Sequence, residues 1–199
     1  MQNKTDIVYL LKNKGYSDAA IAGIVGNIDV ETGGSFKHNQ KQYVGPGYGL
    51  FQFDFLKPHY NKWLQSNKLE DSPQAQIDFF HDTVYGNSQD IIGRGNAKKL
   101  RSALEKDDPT QIAKDVSNIW LKPGVPHLDK RKQAAADVFD SIKGTTPMEA
   151  DPEAQMEQDW LERPQDFSVK PSPQYKSIEG LLKNNLLTNP LLSQGRGLL

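Results

Sequence analysis

The chain has 199 residues, enough for one domain of ordinary size and an extension. Hydrophobic residues make up 36%, the mean hydropathy is −0.67 and the net charge is −1, so no basic field indicates nucleic acid as a required partner. Cysteine is absent, which excludes disulfides, cysteine-bound zinc and thiol nucleophiles. The N-terminal stretch MQNKTDIVYLLKNKG is too short and too charged for a signal peptide or membrane span, so we expect no transmembrane segment.

Two helices are predicted at the start of the chain. Thr5 is a candidate cap for the first, which Gly15 ends. Ser17 is a candidate cap for the second, and SDAAIAGIVGNIDVE has the apolar spacing of an amphipathic helix. The apolar positions are Ile21, Ile24, Val25 and Ile28.

The segment YGLFQFDF, residues 48–55, alternates in polarity after a predicted loop. Such alternation indicates a short strand or extended segment. One side carries Tyr48, Leu50, Gln52 and Asp54. The other side carries Phe51, Phe53 and Phe55.

Helical patterns return after this segment and continue to about residue 143. Two of the starts have a capping residue followed by proline at the first helical position. The predicted helices begin near Pro58, Ser72-Pro73, Ala97, Asp108-Pro109 and Leu128. The predicted fold class is therefore mainly α, with a small extended or hairpin element.

The composition changes near Thr145, which divides the chain into residues 1–146 and residues 147–199. The second part holds six of the twelve prolines and is acidic. It ends in a leucine-rich stretch that cannot form a core by itself. We expect residues 147–199 to be an extended, proline-broken arm whose leucines dock on a partner or return to the domain.

Glu31 is the outstanding candidate for chemistry. It lies three residues after Ile28, so it shares the apolar face of the second helix. Burial and the C-terminal end of a helix both raise the pKa of a carboxyl, and Gly33-Gly34 lets the chain turn sharply there. A carboxyl that stays protonated near neutral pH is what a glycosidase needs to protonate a departing sugar oxygen. A solvated helix-terminal glutamate is the alternative.

Four elements in order resemble the phage tail lysozyme family, which is related to goose-type lysozymes and lytic transglycosylases. These elements are GYSDAAIAGIVGNIDVETGGSF, GYGLFQF, QAQIDFF and IWLKPGVP followed by RKQAA. The resemblance covers about residues 5–143 and implies that this mainly α region is a lysozyme-like (α+β) domain. Three positions depart from the family pattern: Thr32 replaces a serine, Phe53 a tryptophan, and Lys122 a frequent acid.

The resemblance implies that Glu31 is the catalytic acid and that Gly49 and Gln52 belong to the second motif. Gln52 would orient substrate or the attacking water, and Tyr48 and Asp54 are further candidates for substrate binding in the same segment. Asp54 is the nearest candidate for a second carboxylate, although a solvated turn residue or a helix cap is an equal alternative. Relatives use one essential glutamate, so hydrolysis and internal attack by the muramyl 6-hydroxyl both stay open.

The implied function is cleavage of the β-1,4 glycan strand of peptidoglycan by a virion protein during genome entry, in the host periplasm or cell wall. The arm would then bind other virion proteins. The alternatives are a structural tail component with a vestigial lysozyme fold and a cytoplasmic endolysin.

Aromatic and histidine side chains add no further site at this level. Tyr43, Tyr48 and Trp120 could stack on sugars, although core packing is the commoner role. The four histidines, His38, His59, His81 and His127, lack the spacing of a metal site, so we expect no metal and no cofactor.

Overall fold

The computed structural model describes residues 4–43 and 45–143. Seven α-helices occur in this part of the chain: α1 (Lys4–Asn13), α2 (Asp18–Thr32), α3 (Lys57–Asn67), α4 (Pro73–Val84), α5 (Arg94–Leu104), α6 (Pro109–Val116) and α7 (Leu128–Ile142). Short helical turns occur at Gln89–Ile91 and Ser117–Leu121. The mainly α prediction is confirmed. The arm predicted at 147–199 lies outside the described residues.

Three helix starts follow from capping side chains that are visible in the sequence. The Ser17 hydroxyl accepts a hydrogen bond from Ala20 N at 3.2 Å, and the Ser72 hydroxyl accepts one from Ala75 N at 3.1 Å. The Asp108 carboxylate accepts hydrogen bonds from two backbone N–H groups of the first turn of α6. These contacts satisfy donors that a helix N-terminus otherwise leaves unpaired, and they confirm the caps predicted at these three residues. The cap predicted at Thr5 is wrong, because this residue lies inside α1.

Helix α2 is the central helix of the domain. The prediction that it is amphipathic is wrong. Every residue from Ala19 to Ile28 is buried. The four isoleucine and valine positions form only part of the buried surface, and the remainder is made of alanine, glycine and Asn27. The spacing of isoleucine and valine underestimated the burial of α2. Alanine and glycine add little to a hydrophobic pattern, although they allow neighbouring helices to pack closely.

Two glycines of α2 set the distance to the neighbouring helices α6 and α7. A Cβ placed on Gly26 would lie 2.6 Å from Ala135 N and 2.8 Å from Ala135 Cα. A Cβ placed on Gly23 would lie 2.5 Å from Ile112 Cγ2. The α2 and α7 backbones therefore approach more closely than any side chain would allow.

Residues 48–55 form a series of turns in place of the predicted extended segment. Gly49 has a φ of 80° and Gln52 a φ of 46°, and both values turn the chain away from an extended path. Phe53 N donates a hydrogen bond to Tyr48 O at 2.7 Å. Among the described residues, the regular β-structure is limited to an antiparallel bridge between Lys41 and Tyr48.

Alternating polarity misled the prediction because side chains from both expected sides enter the same core. Leu50, Phe51 and Phe53 are all buried, whereas Phe55 is 45% exposed. The ring of Phe51 contacts Trp120, with ring centroids 4.9 Å apart. The series of turns is thus fixed to the helical core by its own apolar side chains.

The helices that the structure describes include none long and apolar enough to cross a membrane.

We predict that Gly26→Ala destabilises the domain and that Gly95→Ala does not. The added methyl group at position 26 meets the α7 backbone, which cannot rotate away, and overpacking of this kind costs about 1–3 kcal/mol. Gly95 lies in α5 with open space around its Cβ position, so alanine should be neutral or stabilising by up to about 1 kcal/mol. Urea unfolding of both variants measures the difference. Equal free energies of unfolding would contradict the close-packing account.

Candidate active site

Glu31 lies in the last turn of α2, where two glycines end the helix. Gly33 has a φ of 58° and Gly34 a φ of 79°, a left-handed conformation that glycine adopts without strain. Gly34 N donates a hydrogen bond to Asp29 O at 2.9 Å, which closes the helix end. The Glu31 side chain is 15% exposed, so it is neither a solvated surface group nor sealed in the core.

The partner of Glu31 is Arg131, which projects from the first turn of α7. Arg131 is only 2% exposed, and its Nη2 donates a hydrogen bond to Glu31 Oε1 at 2.8 Å. Its Nη1 donates to Asn27 Oδ1 at 3.0 Å, and its Nε donates to Pro126 O at 2.7 Å. Every nitrogen of the guanidinium group therefore has a hydrogen-bond partner, as a buried charge requires.

Asn27 extends this network to a third helix. Its amide nitrogen donates hydrogen bonds to Gly23 O at 2.8 Å and to Ala113 O at 2.9 Å, while its amide oxygen accepts from Arg131. One buried side chain thus connects α2, α6 and α7. The hydrogen bonds of Asn27, together with the ion pair to Glu31, therefore fix the orientation of the Arg131 side chain.

Two opposing effects act on the Glu31 carboxyl. Burial raises its pKa above the ordinary value and is the larger effect. The charge of Arg131 and its hydrogen bond lower the pKa, and the charge of His127 lowers it further, without cancelling the effect of burial. The carboxyl therefore keeps its proton to a higher pH than a solvated glutamate, while its ionised form still has a cationic partner.

Hydrogen bonds connect the end of α2 to the turns that carry the second motif. Gln40 Nε2 donates to Thr32 O at 3.2 Å, and Gly49 N donates to Gln40 O at 2.8 Å. Gln52 Nε2 in turn donates to Gly49 O at 2.8 Å. Gln52 is thereby connected in three steps to the residue that follows Glu31.

Gly49 and Gln52 are both held in unusual backbone conformations. A Cβ on Gly49 would lie 2.4 Å from Gln76 Oε1, so the absence of a side chain makes room for Gln76. Gln52 is a half-buried residue with positive φ, which is uncommon outside glycine and is found repeatedly at functional sites. The substrate-binding roles of Gly49 and Gln52 stay predictions.

Gln76, which belongs to the QAQIDFF motif, is a structural centre of the site whose contacts the sequence did not reveal. It is fully buried on α4, and its Oε1 accepts a hydrogen bond from Leu50 N at 2.8 Å. Its Nε2 donates to His38 O at 2.8 Å and to Asp71 Oδ1 at 2.9 Å. The available signal was a glutamine between the core residues Ala75 and Ile77, which periodicity alone does not distinguish from a surface glutamine.

The tyrosines near this centre are not equivalent. Tyr48 is half-buried, its hydroxyl donates to Asp71, and Lys57 Nζ lies 4.7 Å from its ring centroid. Burial and Asp71 raise the pKa of Tyr48 to about 12, so its hydroxyl stays protonated. Tyr43 is fully exposed and does not have the expected core role, whereas Trp120 is completely buried and does.

Asp54 differs from Glu31 in its surroundings. Asp54 is exposed, its backbone carbonyl accepts a hydrogen bond from Lys57 N at 3.1 Å, and α3 begins with Leu56 as its cap. Its position is that of a turn residue on the surface, and a role as second carboxylate stays a prediction. In residues 4–43 and 45–143, no group of three or more His, Asp or Glu side chains is arranged to hold a metal ion.

A central helix that ends in a half-buried glutamate, with a glutamine-bearing turn connected to it, is the arrangement expected of a lysozyme-like domain. The model of the phage tail lysozyme family matches residues 2–142, and the chain belongs to this family. No curated protein matches the chain closely enough to count as a relative. Membership confirms the resemblance and indicates a lysozyme-like function, glycosidase activity in general terms and an association with bacteriophages.

We predict that Gln76→Leu loosens the turns at residues 48–53. It removes three hydrogen bonds and leaves the buried Leu50 N without this partner, at a cost of about 2–4 kcal/mol. Gln74→Leu is the matched control because Gln74 is exposed on the same helix, with a hydrogen bond to Asp78. Its effect should be within about 0.5 kcal/mol. Urea unfolding measures both, and similar losses for the two variants would contradict the role of Gln76.

Proposed function

We propose that this protein is a virion-associated enzyme that cleaves the β-1,4 glycan strand of peptidoglycan during genome entry, with Glu31 as general acid. The observation that carries the proposal is the Glu31 carboxyl itself, which is half-buried, has a raised pKa and is held by Arg131. The described residues contain two other glutamates, Glu70 and Glu105, and both are exposed. Membership in the phage tail lysozyme family supports the substrate class.

The chemistry begins with proton transfer from Glu31 to the glycosidic oxygen. The bond between that oxygen and the anomeric carbon breaks, and the leaving sugar departs as an alcohol. The Glu31 carboxylate formed in this step has the Arg131 guanidinium beside it. It then accepts a proton from the attacking group, which is either water or the muramyl 6-hydroxyl. Gln52 would orient that group or the substrate by hydrogen bonding.

The division of labour along the chain is part of this proposal. Residues 1–146 would carry the enzymatic domain, and residues 147–199 would bind other virion proteins. Muropeptide mass spectrometry distinguishes the two chemical outcomes, because water gives a reducing end and internal attack gives an anhydro sugar.

We predict that Glu31→Gln lowers the rate of glycan cleavage by about 10²–10⁴-fold with the fold intact. Glutamine has nearly the same shape but cannot donate the proton, and general acid catalysis accounts for an effect of this size. Release of soluble muropeptides from purified peptidoglycan measures the rate. Glu70→Gln is the matched control because Glu70 is exposed. If both variants and the wild type release no muropeptides while folded, the protein is a structural component and the enzymatic proposal is wrong.

We predict that Arg131→Met moves the alkaline limb of the pH–activity profile to higher pH. The general acid must be protonated, so activity falls as pH rises through the pKa of Glu31. Arg131 lowers that pKa, so its removal raises it further. Arg131→Lys retains the charge and should shift the limb less.

Lys130→Met provides the control for the change of net charge, because Lys130 is an exposed neighbour on α7. Its profile should coincide with that of the wild type. Circular dichroism establishes that each variant is folded. A folded Arg131→Met protein with an unshifted profile would show that Glu31 is not the group that titrates.

A further inference from the structure

A cleft of about 610 Å³ lies between α3 and the segment that follows α4. Helix α3 lines it with residues at the three- and four-residue spacing of one helix side. These residues are His59, Lys62, Trp63, Ser66 and Asn67. We call this the α3 cleft.

The α3 cleft reaches the end of α2 opposite to Glu31. Lys14, which lines the cleft, precedes the α2 cap, and the lining residue His81 is hydrogen-bonded to the hydroxyl of Tyr16 at 3.1 Å. Tyr16 is adjacent to the cap residue of α2, whereas Glu31 lies in the last turn. At 1.5 Å of rise per residue the two helix ends are roughly 20 Å apart. The cleft is therefore separate from the candidate active site.

Trp63 provides a rigid aromatic surface in this cleft. Its Nε1 donates a hydrogen bond to Asp82 Oδ2 at 2.9 Å, which fixes the rotation of the ring. Tyr60 stacks on it with an interplanar angle of 17°, and Phe79 packs against it edge to face. The half-buried indole is thus packed against Tyr60 and Phe79 and also lines the open cleft.

The opposite wall of the cleft is equally fixed. Asp82 also accepts hydrogen bonds from Asn87 N at 3.0 Å and from the Ser88 hydroxyl. A Cβ on Gly86 would lie 1.9 Å from Asp82 Oδ1, so glycine is required for the segment to close over this carboxylate. The same acid therefore positions both Trp63 and the facing wall, and the cleft is preformed.

Most charges around the cleft are balanced within the protein. Lys14 pairs with Asp78 at 2.7 Å. Asp90 pairs with Arg94 at 2.8 Å. Burial is the main cause that lowers the pKa of His81, so this imidazole is neutral near neutral pH. A cleft without a net excess of cations does not select phosphate or nucleic acid.

We propose that the α3 cleft is an accessory binding site for uncharged sugar residues of a glycan strand, remote from the cleavage site. An indole face stacks on the apolar face of a pyranose ring, and the surrounding hydroxyl, amide and imidazole groups match sugar hydroxyl and acetamido groups. The identity of the glycan as peptidoglycan rests on the proposed function. A second site on the same strand raises the effective concentration of substrate at Glu31.

Binding of peptide-free peptidoglycan glycan strands to full-length Glu31→Gln protein tests the proposal, because that background does not cut the probe. Ser66→Tyr should fill the cleft without removing a native contact, and Trp63→Leu should remove the aromatic surface. Each is expected to weaken calorimetric binding by about tenfold or more. Ser102→Tyr is the matched control, an exposed serine on α5, and should leave binding unchanged.

Cleavage assays in the otherwise wild-type chain separate this site from the chemistry. Ser66→Tyr should retain cleavage of a tetrasaccharide fragment and slow cleavage of intact peptidoglycan. Unchanged strand binding by folded Ser66→Tyr and Trp63→Leu proteins overturns the site and leaves the enzymatic proposal standing. If glycan strands bind through the cleft but the wild-type protein cleaves no glycan, the accessory site is supported and the enzymatic proposal is overturned. Strand binding that inorganic phosphate displaces would indicate an anion site and also overturns this assignment.

Discussion

The buried guanidinium of Arg131 is the group on which the candidate active site depends. A charge removed from water costs several kcal/mol unless its hydrogen bonds are all made. Arg131 makes them to Asn27, Glu31 and the carbonyl of Pro126. These partners belong to α2 and to the segment that precedes α7. Arg131 consequently holds Glu31, α2 and the segment before α7 in a single arrangement, because displacement of any of these partners would leave its buried guanidinium unpaired.

The same contact governs the chemistry proposed for Glu31. Burial favours the neutral acid and so opposes donation of the proton, whereas Arg131 stabilises the carboxylate that forms after proton donation. A group that must act first as an acid and then as a base requires both states to be accessible. The raised pKa of Glu31 keeps the acid protonated before the reaction, and the cationic partner Arg131 stabilises its carboxylate afterwards, so the two features act together.

The site is assembled from separate parts of the chain by packing that depends on small and polar residues. Gly26 allows α7 to approach α2, and this approach brings Arg131 within 2.8 Å of Glu31. Gln76 on α4 holds the turn at Leu50, and Gln40 connects that turn to the end of α2. The α3 cleft repeats the same principle, since Asp82 fixes both of its walls.

The sequence by itself determined the helical class, the caps at Ser17, Ser72 and Asp108, and the family, because each depends on local signals or ordered motifs. The role of Glu31 as the acid stays a prediction. Tertiary structure alone decided that α2 is buried on all sides and that residues 48–55 form turns. It also decided the partners of Glu31. Arg131 lies 100 residues from Glu31 in the chain, and Gln76 lies 26 residues from Leu50. Hydrophobic periodicity reports which side of one element is apolar. It carries no information on which distant polar group satisfies a buried charge, since that choice is made only when the helices pack.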